Sequence, residues 1–429
     1  MNNPSAQTQG ATFPGVSAAE TGRAGSDAPV STGAALSALD PVFRENPHDL
    51  LDDLRHRDPV HQDRVFDRVV LTRAKDIGAL LNDRTLAADP RKSRMGSFSR
   101  LQLGVDERFV PTMLHMDNPD HKRLRNLVSK AFSQRAVEAM RPRVADVAAG
   151  LLDGITTGTA FDLMEAFAKP LPTVVIAVML GIDPADQYDF KCWSDTQTLL
   201  FNPMRTAEQQ AKLRWGEGEL TRYLSGAVAK RRRDRGEDLI SSLIAAEEDG
   251  EHLDEAEIVN VCRLLLAAGN VTTTDLIGNG VFALLRHPKE LAKLQARPEL
   301  IGAVVEEVLR YDSPVVQASR QTTASGHIGG CPVDAGQSVT AMLSAANHDP
   351  DIHHNPHSFD IERNDKRHFS FGGGAHFCLG APLARVEGQV AISALFQRFP
   401  NLRLASGYTH VHKATPSLCG LESLWVEAL

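Results

Sequence analysis

Along most of the 429-residue chain, apolar side chains return every three or four positions, the spacing that lines one face of a helix. The pattern predicts helices over residues 136–152, 207–233, 254–286 and 300–311. The third opens with Asp254-Glu255-Ala256-Glu257, which has the form of a capping box, and runs to Arg286 before Pro288. At 1.5 Å per residue it would span roughly 50 Å, enough to cross a whole domain. Its middle reads Ala267-Ala268-Gly269-Asn270-Val271-Thr272-Thr273-Thr274-Asp275. A glycine and a β-branched run are poor helix formers, so its hydrogen bonding is expected to loosen there. Strand-like pieces are fewer: residues 59–72, residues 317–340 with turns at Gly329-Gly330 and Ala335-Gly336, and residues 402–429. The fold expected is mainly α with a minor antiparallel β region, in a single domain. Residues 1–38 are rich in Ala, Gly, Ser, Thr and Pro, carry no period, and are read as a disordered N-terminal tail preceding a folded domain at 39–429.

Composition narrows the class of partner. The net charge of −8 argues against a general nucleic-acid or membrane-surface binder. The run Lys230-Arg231-Arg232-Arg233-Asp234-Arg235 suits the C-terminal end of a helix dipole better than a nucleic acid. Five cysteines without a Cys-x-x-Cys pair oppose a disulfide framework or a structural zinc site. His353, His354 and His357 fit no common zinc spacing either. The longest apolar stretch, residues 174–180, is far short of the roughly 20 residues that cross a bilayer. The expectation is a soluble cytoplasmic protein.

The most informative chemistry lies in Phe371-Gly372-Gly373-Gly374-Ala375-His376-Phe377-Cys378-Leu379-Gly380-Ala381. Three successive glycines remove side chains where the backbone must approach something flat and bulky, or take a positive φ. A helix pattern follows, with Pro382 in its first turn and Leu379, Leu383, Val386, Val390 and Ala394 along one face. Cys378 thus stands at a helix N-terminus, where free amides and the dipole favour a thiolate, a soft ligand for iron. A lone cysteine can equally be a small buried apolar residue.

The positions Phe371-x-x-Gly374-x-x-x-Cys378-x-Gly380 resemble the haem-ligand signature of the cytochrome P450 family, the haem-thiolate monooxygenases. Further motifs stand in family order from about residue 39 to Leu429. The resemblance implies a P450-like fold with haem b (iron protoporphyrin IX) between the long helix and the Cys loop. Cys378 would be the axial iron ligand, with Phe371, Gly372, Gly374, Gly380, Ala268 and Gly269 around the cofactor. His121 and Arg125, four apart on one helix side, would hold propionates together with Arg320 and His376. Glu307 and Arg310, three apart and able to pair, would form a buried scaffold joined by Arg363.

In the family a threonine lies on the oxygen side, and Thr272 matches it. Val271 stands where the family usually has Glu or Asp, so protons are expected to come through Thr272, Asn270 and ordered water, or through a polar group on the substrate. Asp275 follows three residues later. Substrate would be met by residues 87–114, 199–204, 314–318 and 417–421 and by the long helix, with Leu265, Ala268, Val315, Val316 and Leu418 as contacts. These are mostly apolar, which points to a hydrophobic small molecule. Arg84, Arg91 and Arg94 could pair a carboxylate on it or simply be solvated.

The reaction implied is insertion of one oxygen atom of O2 into that substrate. Electrons would come from a ferredoxin-type donor with its reductase, docking on Arg363, Lys366 and Arg367 unless these form a plain solvated loop. No nucleic-acid or membrane partner is expected. A peroxide-driven haem-thiolate oxygenase or decarboxylase would explain Val271, and a non-enzymatic haem or ligand-binding protein would also keep Cys378. The intact Thr272 groove counts against both.

Overall fold

The structure, a computed structural model, describes residues 30–105, 109–201, 205–248 and 250–428. Its axis is the helix Glu255–Arg286, 32 residues long. The capping box is made in both directions: Asp254 accepts from the Glu257 amide and Glu257 from the Asp254 amide. The expected loosening does not occur, and the helix is continuous through residues 267–275. The polar side chains there are absorbed without opening the backbone. Thr272 Oγ1 donates to the Ala268 carbonyl at 2.7 Å, Thr274 Oγ1 to Ala168 O at 3.2 Å, and Asn270 Nδ2 to Thr173 Oγ1 at 2.8 Å. Packing against Pro170–Leu180, Ala207–Arg233, Ile301–Tyr311 and Ala381–Arg398 supplies what local propensity lacks.

The predicted β region resolves into short strands. A four-stranded sheet runs in the order Val60–Asp63, Arg68–Leu71, Ser338–Met342, Gln317–Gln321. Its neighbours are antiparallel except the central pair, Arg68–Leu71 with Ser338–Met342, which is parallel. Gly326–Ile328 and Cys331–Val333 make a separate hairpin. The C-terminal strands Arg403–Leu404 and Trp425–Glu427 take up a third, Ala160–Asp162, which the alternation did not reveal. Trp425–Glu427 lies between them, pairing antiparallel with both.

Ordered structure begins earlier than residue 39. Residues 1–29 lie outside the described residues, but Gly33–Leu36 form a 3-10 turn, and Leu36 is fully buried beside Phe43, Leu51 and Leu54. The reason is a buried charge pair. Asp63 Oδ1 accepts from Thr32 Oγ1 at 2.6 Å and from the Gly33 amide at 3.0 Å, while Oδ2 pairs with Arg68 Nε at 2.9 Å. Neither side chain of the pair is accessible, and the Arg68 guanidinium also lies 4.1 Å from the Phe98 ring centroid. A buried guanidinium needs this carboxylate, and the carboxylate in turn recruits the segment before it. Asp63→Ala is therefore expected to lower unfolding stability by about 3–5 kcal/mol, read by urea denaturation followed by far-UV circular dichroism. A loss near zero would show that Arg68 finds another partner.

Candidate functional site

The approach to Cys378 is built from the carboxylate of Glu307 outward. Arg310 grips it with Nε at 2.9 Å and Nη2 at 2.8 Å, and Arg363 Nε approaches it at 3.3 Å. All three side chains are at most 9% exposed. The same guanidinium groups collect carbonyl oxygens of the connecting loop: Asn347, Pro356 and Ser358 for Arg310, Asn355 and Ser358 for Arg363. Asn347 then fixes the next stretch, accepting from the Phe369 amide at 2.7 Å and donating to Ser370 Oγ at 3.0 Å. Arg363 is thus a scaffold residue, not part of an exposed docking patch. Arg367 is exposed but held by Asp365.

Within the Cys loop, Gly372 and Gly374 have φ of +66° and +63°, a region open chiefly to glycine. A Cβ on Gly374 would also fall 2.1 Å from the Leu81 carbonyl oxygen, so this glycine lets the loop lie against helix Ala74–Asn82. The Cys378 amide donates to Phe371 O at 2.9 Å and closes the loop. Two residues with no local sequence signal brace it: Glu306 pairs with Arg385 at 2.6 Å, and Arg385 lies 4.7 Å from the Phe371 ring centroid. Burial alone would raise the Glu306 carboxyl, but hydrogen bonds from His368 and Arg385 bring it down to about 2.

Gly380 caps the helix Ala381–Arg398, and a Cβ there would sit 3.9 Å from the Cys378 sulfur. Cys378 is accessible and not a packed core residue. Enough protein still surrounds the sulfur to desolvate a charge, and this burial pushes the thiol up against the opposing pull of the Gly380 amide and Arg125. The helix end therefore does not by itself make a thiolate. Coordination would, because a metal deprotonates a ligating thiol outright.

Four further residues gather beside it. His121, at 3% exposure, stacks on His376 with ring centroids 4.0 Å apart. Arg125 Nη2 donates to Phe377 O at 2.7 Å. Arg320, on the strand Gln317–Gln321, donates to its neighbour Ser319 O. Among the described residues neither guanidinium makes a salt bridge to a carboxylate. Burial and the neighbouring positive groups hold both imidazoles neutral: His376 falls to about 3 through burial, His121 and Arg320, and His121 is lowered by burial and Arg125. A half-buried cluster in which neither guanidinium meets a carboxylate directly suits a ligand bearing two anionic arms. Asp117 accepts from the Ala88 amide and Lys92 Nζ, and no side chain caps the His121 helix.

On the long helix, Leu265, Ala268 and Thr272 share a face by their spacing. Asn270 does not join them. It lies about 200° around the helix from Thr272, buried, and donates to Thr173 Oγ1 on the neighbouring helix. It is a packing residue, and its place in the proton route is withdrawn. Asp275 is fully buried, tied to Lys413 at 2.6 Å, and pushed up to about 6 by burial despite that partner. A Cβ on Gly269 would meet only Ile176 at 3.7 Å.

The segments expected at the substrate do adjoin. Val315 bridges Leu418, the Val316 amide donates to Ser417 O at 3.0 Å, and Ala87 bridges Gln321. Asn279 of the long helix reaches Cys419 O at 3.1 Å. Residues 106–108 and 202–204 of those segments lie outside the described residues. Arg91 and Arg94 are taken by Asp89, Asp67 and Asp334.

A family model described as Cytochrome P450 matches residues 66–404. The chain belongs to the cytochrome P450 family. The P450 is 40% identical to the Vitamin D(3) 25-hydroxylase of Pseudonocardia autotrophica over 370 residues, covering 85% of this chain and 89% of the relative. It is 37% identical to the 6-deoxyerythronolide B hydroxylase of Saccharopolyspora erythraea over 361 residues, covering 82% and 88%. Among solved structures, the Bacillus subtilis 168 cytochrome P450 PksS superposes with a TM-score of 0.82 at 36% identity, covering 91% of this chain and 99% of the other. The P450 is accordingly an oxidoreductase of the monooxygenase class. No helix among the described residues is long and apolar enough to cross a membrane.

Asn270→Ala is expected to cost about 1 kcal/mol of stability through the lost Thr173 bond and to leave product formed per reductant consumed unchanged. A fall in that ratio at intact stability would return Asn270 to the oxygen side.

Proposed function

We propose that the P450 holds haem b through Cys378 and oxygenates a hydrophobic organic substrate, with electrons from a ferredoxin-type donor and its reductase in the cytoplasm. The observation that carries this reading is the juxtaposition of the exposed residue Cys378 with the half-buried cluster of His121, Arg125, Arg320 and His376. A porphyrin with two propionates matches both: a metal for the sulfur and two carboxylates for the cations. When bound, the haem would supply the activation of dioxygen, since oxidants of this kind belong to the cofactor and not to the side chains.

The chain's own residues do the rest. Arg125 and Arg320 neutralise the propionates, and the stacked His121 and His376, held neutral, donate hydrogen bonds to them without adding charge. The Gly380 and Ala381 amides face the Cys378 sulfur and draw electron density from it, which tunes how strongly it donates to the iron. Arg385 over Phe371 and the Asn347 bonds keep the loop from shifting. Thr272 offers a hydroxyl on the face it shares with Ala268. With Val271 at the neighbouring position and Asp275 engaged by Lys413, this hydroxyl, with ordered water, is the group we assign to proton supply.

Leu265, Ala268, Val315, Val316 and Leu418 exclude water from the substrate side. The relatives named for vitamin D(3) and 6-deoxyerythronolide B support a bulky, largely apolar substrate.

Reduced protein under carbon monoxide is expected to show the red-shifted Soret band of thiolate ligation, and Cys378→Ser to abolish it. A Cys378→Ser protein with unchanged absorption would overturn the ligand assignment. Arg125→Ala and Arg320→Ala should each weaken haem retention about ten- to hundredfold, the equivalent of one charged hydrogen bond, measured by transfer of haem to apomyoglobin. Thr272→Ala should lower product formed per reductant consumed while leaving the Soret band and substrate binding intact. An unchanged ratio removes Thr272 from the proton route.

A further inference from the structure

Three imidazoles from three separate stretches of chain meet away from the Cys loop. His48 lies in the first turn of helix Pro47–Arg57, His348 caps helix Leu343–Asn347, and His357 follows Pro356 in the loop that Arg310 grips. Ring centroids are 4.0 Å apart for His48 and His348, 5.3 Å for His348 and His357, and 5.7 Å for His48 and His357. One ligand-capable nitrogen from each ring lies within 4.8 Å of the other two.

The hydrogen bonding of these rings is unfinished in a consistent way. His348 is 1% exposed, and its Nδ1 lies 3.0 Å from the Ser344 carbonyl oxygen. That contact places the proton on Nδ1 and leaves a lone pair on Nε2, which is buried without a partner. Nδ1 of His48 is also buried without a partner. Leaving a buried polar atom unpaired costs about 1–3 kcal/mol, and here two such atoms share one cluster. His357 Nε2 lies 2.7 Å from Asp52 Oδ2. A carbonyl behind one imidazole and a carboxylate behind another is the outer arrangement that orients histidines toward a metal.

We propose that His48, His348 and His357 form a binding site for a divalent transition-metal ion of the zinc class, with water in the fourth position. Imidazole ligands favour zinc and its neighbours over calcium or magnesium, which seek oxygen. Zinc–nitrogen bonds of about 2.0–2.1 Å place tetrahedral ligand atoms roughly 3.4 Å apart, so the rings close by an ångström or so. His357 has the freedom for this, because its side chain is 47% exposed; it also provides the route of entry. The two guanidinium groups nearby are already matched, Arg55 by Asp52 and Arg310 by Glu307. His48 stands 300 residues before His348 in the chain, which is why the local spacing of His353, His354 and His357 showed no metal pattern. A bound ion would staple the Pro47–Arg57 helix to the loop leading toward the Cys loop.

The test uses the haem-loaded full chain, equilibrated with zinc chloride, dialysed against a weak chelator and assayed for metal. Wild type is expected to retain one equivalent that His357→Ala and His48→Gln lose, and zinc should raise the unfolding temperature of wild type but not of these two variants. An intact Soret band shows that each variant is folded. If His48→Gln loses its haem, the half-exposed His357→Ala decides alone. A second cluster, Glu45, His410 and His412, is controlled by His410→Ala with His412→Ala, which should keep the equivalent. The proposal is overturned if wild type retains no more zinc than His357→Ala, or if the equivalent is lost with the His410 and His412 changes instead.

Discussion

Glu307 and the guanidinium groups of Arg310 and Arg363 are withdrawn from water together, and the path of the chain toward Cys378 depends on their doing so. A buried carboxylate facing two cations leaves a net positive charge, which here is spread over the carbonyl oxygens of Asn347, Asn355, Pro356 and Ser358. Removing one member of such a group typically costs about 3–5 kcal/mol because it strands the others. The loop it organises has little regular secondary structure, so its shape comes from these charged hydrogen bonds and not from a backbone ladder. Asn347 passes the constraint on to Phe369 and Ser370, and the Phe371 carbonyl passes it to the Cys378 amide. The sulfur is placed by a chain of polar contacts that begins about seventy residues earlier.

Against that fixed loop stands a cluster that carries more positive charge than the protein around it compensates. Burial lowers both Arg125 and Arg320, against the opposing pull of Cys378 on the first and Asp117 on the second. The stacked histidines relieve part of the strain by remaining neutral. Arg125 also braces the Cys loop through the Phe377 carbonyl, so the same guanidinium that faces the cluster helps to shape it. The contrast with Arg123 is instructive: two positions from His121, it points to Glu257 and Glu251 and is an ordinary ion pair.

Much of this was readable from residue order. Periodicity located the long helix almost to the residue, and Asp254 with Glu257 marked its start. Phe371, Gly374, Cys378 and Gly380 marked the loop through their resemblance to the haem-ligand signature, since a lone cysteine among glycines has other uses. The Glu307, Arg310 and Arg363 scaffold was also legible as a set. Asn270 was misread, since adjacency to Thr272 in sequence is opposition across a helix. Ordered structure begins before residue 39 because Thr32 and Gly33 are held by a carboxylate thirty residues on. Glu306 and Arg385 went unnoticed for the same reason: their meaning lies in a pairing across 79 residues.

Helix period and capping are local properties of a chain, so residue order alone set most of the elements, and the resemblance of the glycine-rich loop to a haem-ligand signature singled out Cys378. Tertiary structure decided which charges are left unpaired and which face each polar side chain serves. Those outcomes depend on what lies opposite in space: a guanidinium becomes a candidate anion site only when its neighbours fail to neutralise it, and three scattered histidines become a candidate metal site only when folding brings their lone pairs together.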